Sequence, residues 1–182
     1  MTRKRYLLAV DPATTTGIAL VSFGATGPLE LHGWRQVRMP DDRRGWLSFC
    51  RAEAKDLALG ACDLNEALWL VESWARHSSY PAAVKLAQIQ QAWVGAAESC
   101  RAKCDFMDVM KWQAPTGINR IGRAASKVKK GSGSAARKQA SKRYAAASLG
   151  LKREPPEDVA DALCMALVWV AKDRENNPVL PF

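Results

Sequence analysis

Between Val109 and Arg153 there is not one aspartate or glutamate. The same stretch holds Lys111, Arg120, Arg123, Lys127, Lys129, Lys130, Arg137, Lys138, Lys142, Arg143, Lys152 and Arg153. That is 12 of the chain's 27 Lys and Arg residues and none of its 18 acids. The net charge of +9 therefore belongs to one segment; the rest carries 15 basic against 18 acidic residues. A basic segment without acids is the electrostatic footprint of a polyanion-binding surface, most often one for nucleic acid. A merely solubilising face does not require the total exclusion of acids.

Other scarcities narrow the choice further. No apolar run approaches the roughly 18 residues that a membrane span needs. The N-terminal "MTRKRYLLAVDPATTTG" is basic and then apolar, but an acid and a proline interrupt it early, so it reads as a first strand and not as a signal peptide. Cysteines are few and scattered: Cys50, Cys62, Cys100, Cys104 and Cys164. An odd set of this kind argues for a reducing compartment, so a cytoplasmic location is expected. There are only two histidines, His32 and His77, and neither is near Cys100 and Cys104, which argues against a zinc site.

What is present is a series of short apolar runs. Tyr6–Asp11, Gly17–Phe23 and Leu29–Met39 read as three strands of an antiparallel meander. A helix is expected over 40–60, ended by Gly60, then a buried strand at 67–73. A long helix over 81–104 starts at Pro81 and carries more apolar residues than one stripe needs; the excess marks it as the expected interface of a homodimer. A fifth strand is expected at 104–109. Residues 115–134, rich in glycine and cations, read as a mobile basic loop. Helices follow over 134–150 and 155–174, and residues 175–182 read as a frayed tail. The expected architecture is one α/β domain over 1–182, a mixed five-stranded sheet flanked by helices.

Two of the strands end in an acid: Asp11 after the first and Glu72 after the fourth. If those strands are parallel neighbours, both carboxylates emerge at one sheet edge. Asp158 and Asp161, in "EDVADAL", lie three apart and share a face of the last helix. Singly, each acid has a structural explanation. Asp11 can cap a turn, Glu72 can pair with a base such as Arg76, and Asp158 and Asp161 can stabilise a helix N-terminus. Jointly, four converging carboxylates require a compensating cation. A hard divalent ion with oxygen ligands, Mg²⁺ above all, fits that set.

These motifs resemble those of RuvC-like Holliday junction resolvases, within the RNase H-like nuclease fold. "AVDPATTTGIAL" is similar to the family's first motif, a strand ending in Asp-Pro-Gly before a Thr-Gly turn. "LVESW" is similar to the second, with Glu72 as the catalytic glutamate, and "DVADALCMAL" to the last, with its Asp-x-x-Asp pair. "KLAQIQQAW" resembles the helix after the glutamate. "DVMKW" resembles the stretch after the fifth strand that keeps a basic residue, here Lys111, and "GSAARKQAS" the later lysine-bearing segment, at Arg137 or Lys138. The likeness runs in order over residues 5–172. Ala13 departs from it by replacing a glycine. The loop "SWARHSSYP" departs too; there Trp74 and Tyr80 are the aromatics able to wedge into a junction centre.

The resemblance implies an Mg²⁺-dependent endodeoxyribonuclease that cuts four-way junctions by paired symmetric nicks. It implies two ions per site held by Asp11, Glu72, Asp158 and Asp161, with Mn²⁺ able to substitute. Lys111 would stabilise the scissile phosphate. Arg120, Arg123, Lys127, Lys129, Lys130, Arg137, Lys138, Lys142 and Arg143 would hold flanking phosphates. Two cuts need two sites, hence a two-fold homodimer. A compact resolvase with such departures would suit a bacteriophage. The competing readings are a ribonuclease H acting on RNA–DNA hybrid and a junction-binding protein without turnover. A transposase-like nuclease or an actin-like ATPase would need further domains.

Overall fold

The computed structural model describes residues 4–73 and 79–177. Its centre is a five-stranded sheet: β1 (Arg5–Asp11), β2 (Thr15–Phe23), β3 (Glu30–Arg38), β4 (Ala67–Ser73) and β5 (Cys104–Asp108). The order across the sheet is β3-β2-β1-β4-β5. The expected meander is present, with β1 antiparallel to β2 and β2 antiparallel to β3. β4 lies parallel to β1 and β5 parallel to β4. The ends of β1 and β4 thus meet at the same edge, as the parallel pairing of two acid-terminated strands requires.

The alternation of side chains along each strand splits the core into two layers. On one face Leu8, Val10, Ile18, Leu20, Trp69 and Val71 pack against α1 (Trp46–Ala58) and α2 (Tyr80–Ser99). On the other, Leu7, Ala9, Ala19, Val21 and Leu70 pack against α6 (Glu157–Asn176), with Ala140 and Ala145 of α5 (Gly133–Leu149) behind it. β1 is therefore buried on both faces, which is why its sequence is a continuous apolar run. Among the described residues no helix is long and apolar enough to cross a membrane. All five cysteines are free thiols.

Two expectations need correction. The helix expected over 81–104 stops at Ser99, because Arg101 turns the chain through φ 56 and β5 starts at Cys104. The segment 115–134 is not a loop: α3 (Val109–Gln113) is followed by α4 (Ile118–Val128), which packs antiparallel to α5 through a short turn. Two of the glycines that suggest a loop, Gly122 and Gly133, are contact points between these helices. A Cβ at Gly122 would lie 2.5 Å from Cγ of Arg137, and one at Gly133 would lie 2.1 Å from Oγ of Ser126. Ile118, buried, pins the start of α4 to the core beside Trp112. Tertiary packing here overrides the low helix propensity of glycine.

Candidate functional site

The turn after β1 is closed by its own hydroxyl residue. Thr16, fully buried, donates from Oγ1 to the Ala13 carbonyl at 2.7 Å and accepts from the Ala13 N–H at 3.2 Å. Ala13 has an ordinary negative φ, since Arg101 is the one non-glycine with positive φ among the described residues. Alanine in place of glycine is therefore unstrained at this turn.

Asp11 ends β1, and its register partner in β2 is Gly17, whose own partner in β3 is Gln36. Residues that pair across a sheet point to the same face. On that face, over Gly17, lies the first turn of α6, which carries Asp158; Asp161 lies one turn further along. Glu72 arrives on β4, next to β1. The four acids act on one another. Burial holds the Asp11 carboxyl well above the usual carboxylate range, and the charges of Glu72, Asp161 and Asp158 add to it, with a hydrogen bond between Asp11 and Glu72. Asp161 is pushed up to about 7, by burial first and by Glu72, Glu157 and Asp158 next; the Ser141 hydroxyl beside it pulls the other way. Burial raises Glu72 too, and Trp112 and Asp11 oppose that by hydrogen bonding.

Two neutral donors fix the outer acids. Trp112 Nε1 donates to Oε1 of Glu72 at 2.8 Å, and Gln36 Nε2 donates to Oδ2 of Asp158 at 2.9 Å. The Asp161 Oδ1 is buried with no hydrogen-bond partner. An orphaned buried carboxylate oxygen among three other acids is the donor chemistry of a hard-cation site. The acids are not drawn together into a cage, however. Among the described residues, no group of three or more His, Cys, Asp or Glu side chains is arranged to hold a metal ion. Asp11 hydrogen-bonds Glu72, and Asp158 is bonded by Gln36.

The basic residues differ in their surroundings. Lys138 pairs with Glu157 and is also in electrostatic reach of Asp158 and Asp161, so it is the cation of α5 that borders the acids. Arg137, beside it, packs its aliphatic stem on Gly122. Lys142 and Arg143 face Glu154 at 3.8 and 3.9 Å. Arg120, Arg123, Lys127, Lys129 and Lys130 are exposed on α4 and the turn after it. Lys111 is exposed and lines a cleft with Asp105, Trp169 and Lys172; its neighbour Trp112 is the residue brought to Glu72. Tyr80 stands 82% exposed at the first residue of α2, and Trp74 lies outside the described residues.

Gln36, Trp112 and Ser141 were not legible as site residues. Only Trp112 carried a signal: a buried indole needs an acceptor for its N–H, and a carboxylate is the strongest one available.

No family model matches this sequence, and no curated protein matches it. Solved structures do. The chain matches the structure of Thermus thermophilus RuvC at 20% identity and a TM-score of 0.68, over 94% of this chain and 96% of the other. It matches T. thermophilus RuvC in complex with Holliday junction substrate at 17% identity and a TM-score of 0.66, over 93% and 96% of the two chains. At such identities the likeness is one of architecture: this chain has an RNase H-like fold, shared with RuvC over 94% of its length.

Proposed function

We propose that this protein is a metal-dependent endonuclease that resolves four-way DNA junctions. One observation carries the reading. Glu72, Asp158 and Asp161, from β4 and α6, all stand in electrostatic reach of Asp11 at the end of β1. The fold that gathers them is shared with a RuvC solved on a Holliday junction.

In this reading the four acids would hold Mg²⁺, with Mn²⁺ accepted through the same oxygen ligands. The ion, when bound, supplies the Lewis acidity for in-line displacement at phosphorus by water. The chain's own part is to offer charge and to release protons. Asp11, whose carboxyl is held above the usual range, would give up its proton on taking a cation, and the unpartnered Oδ1 of Asp161 would serve as a ligand. Lys138, beside Asp158 and Asp161, is placed to meet a phosphate at the site's rim. The five exposed cations Arg120, Arg123, Lys127, Lys129 and Lys130 would take flanking phosphates, which orient a duplex without reading its sequence. Lys111, exposed one residue before the Trp112 that bonds Glu72, would stabilise the scissile phosphate.

Paired cuts need two sites, so a two-fold dimer belongs to the proposal. The groove between α1 and α2, lined by Trp46, Leu47, Val84, Ala87 and Ala92, is the surface we assign to the second copy.

The test offers the wild-type chain a synthetic four-way junction, a linear duplex and an RNA–DNA hybrid, each with Mg²⁺ and with chelator. Mg²⁺-dependent, symmetric nicking of the junction alone supports the proposal. Cutting of the hybrid alone assigns a ribonuclease, and metal-independent binding without cutting assigns a junction-binding protein.

A further inference from the structure

The acids of the cluster differ in how they are held. Asp158 is held by Gln36, which lies exposed on the edge strand β3, where water can take its place. Glu72 is held by Trp112, which is fully buried. The indole sits in the core layer with Leu70, Met107, Ile118 and Leu163, so its N–H is shielded from bulk water. The helix that carries it is itself fixed: Asp108 caps α3 by accepting the Met110 N–H at 2.7 Å.

An indole is an unusual choice for this contact, and its chemistry explains it. It has one donor and no acceptor, and it carries no charge. A lysine or arginine at this place would also bond Glu72, but it would neutralise the carboxylate and repel a cation. The indole orients the carboxylate and leaves its charge intact. It occupies Oε1, and Glu72 also hydrogen-bonds Asp11. Outer partners of this kind fix the orientation and basicity of metal-ligating groups.

We propose that Trp112 is a positioning residue for Glu72: its buried indole N–H selects which carboxylate oxygen faces the other acids and keeps it ready for a divalent cation. This rests on the metal-site reading above. It assigns the residue after Lys111 a role in the site, although Trp112 itself touches neither substrate nor ion.

The test uses the full chain labelled with ¹⁵N and follows the indole N–H resonances, with Trp112 identified by its loss in Trp112→Phe. The Trp112 resonance is expected to move in Glu72→Gln and to move again when wild type is saturated with Mg²⁺. Calorimetric titration with Mg²⁺ gives the second readout. Trp112→Phe, and a variant carrying 3-benzothienylalanine at 112, which keeps the ring shape but lacks the N–H, are expected to lose about 10–100-fold in Mg²⁺ affinity. The isosteric variant separates this role from core packing. An indole resonance indifferent to Glu72→Gln and to Mg²⁺, with wild-type Mg²⁺ affinity in the isosteric variant, overturns the proposal while leaving the metal site standing. A wild type that binds no Mg²⁺ overturns the metal-site reading, and with it the role of Trp112.

Discussion

Gly17 lies directly under Asp158. A Cβ on Gly17 would stand 2.1 Å from both the carbonyl carbon and the carbonyl oxygen of Asp158, and 2.4 Å from the Val159 nitrogen. The obstacle is backbone, which cannot rotate away as a side chain can. Gly17 is thus the point where helix α6 is allowed down onto the sheet, between Asp11 on one neighbouring strand and Gln36 on the other. The absence of one methyl group brings the acids of the helix to the acid of the strand.

Gly17→Ala is therefore expected to lift the first turn of α6 and to cost about 1–3 kcal/mol or more of stability, the usual range for overpacking. Denaturant titration reads the stability. Mg²⁺ binding is expected to fall further than stability explains, because Asp158 and Asp161 move away from Asp11 as a unit. Unchanged binding in a folded Gly17→Ala variant would show that the helix does not contribute to the site.

The raised acids predict how stability depends on pH. An unfolded aspartate ionises near pH 4, whereas folded Asp161 holds its proton up to about 7. Between these values the folded state binds a proton that the unfolded chain has released. Stability of the metal-free protein therefore falls as pH rises through this window, by up to about 1.4 kcal/mol per unit for each such proton. Asp11, raised in the same direction, adds to the fall. Asp161→Asn is expected to flatten the profile and to stabilise the metal-free protein above pH 7. Mg²⁺ should raise the melting temperature at pH 8 far more than at pH 5, because a cation binds the ionised form and stabilises only the folded state. A melting temperature that climbs from pH 4 to 7 without metal would contradict the assignment.

The cations of α4 and α5 should not be equivalent. Replacing Arg120, Arg123, Lys127, Lys129 or Lys130 by alanine is expected to weaken junction binding to a similar degree for any sequence. Each is expected to lower the slope of log affinity against log salt by about 0.9. Lys142 and Arg143 already face Glu154 and should have smaller effects. Lys138 should differ again: it borders the acids, so Lys138→Ala is expected to slow cleavage more than it weakens binding. Salt titrations of binding, set beside single-turnover rates, separate the three groups.

The parts of this molecule that were legible in its sequence are those written locally. An apolar run that ends in one acid states both a buried strand and the place of its carboxylate, as Asp11 and Glu72 show. A pair of acids three apart among Val159, Ala160, Ala162 and Leu163 states which face of a helix meets the sheet. The parts that were not legible depend on distant partners. α4 was hidden because Gly117 and Gly122 lower helix propensity, and the reason for Gly122 is the Arg137 stem on another helix. Gln36 is one of several polar residues on an edge strand, and nothing nearby in sequence marks it as the partner of Asp158. Acid-free sequence from 109 to 153 suggested free cations throughout, yet Glu154 and Glu157, just beyond it, reach back to three of them.

The most direct measurement is cleavage of a synthetic four-way junction in Mg²⁺ by wild type and by Asp11→Asn, with the nicks mapped on all four strands. Asp11 is the acid on which the other three act. The account predicts paired nicks at symmetric positions from wild type and a loss of at least about 10²-fold from the variant, which keeps the shape and the buried environment but not the charge. Equal cleavage by the two proteins, or none by either on a junction that both bind, would contradict the central claim that these four carboxylates form an active centre.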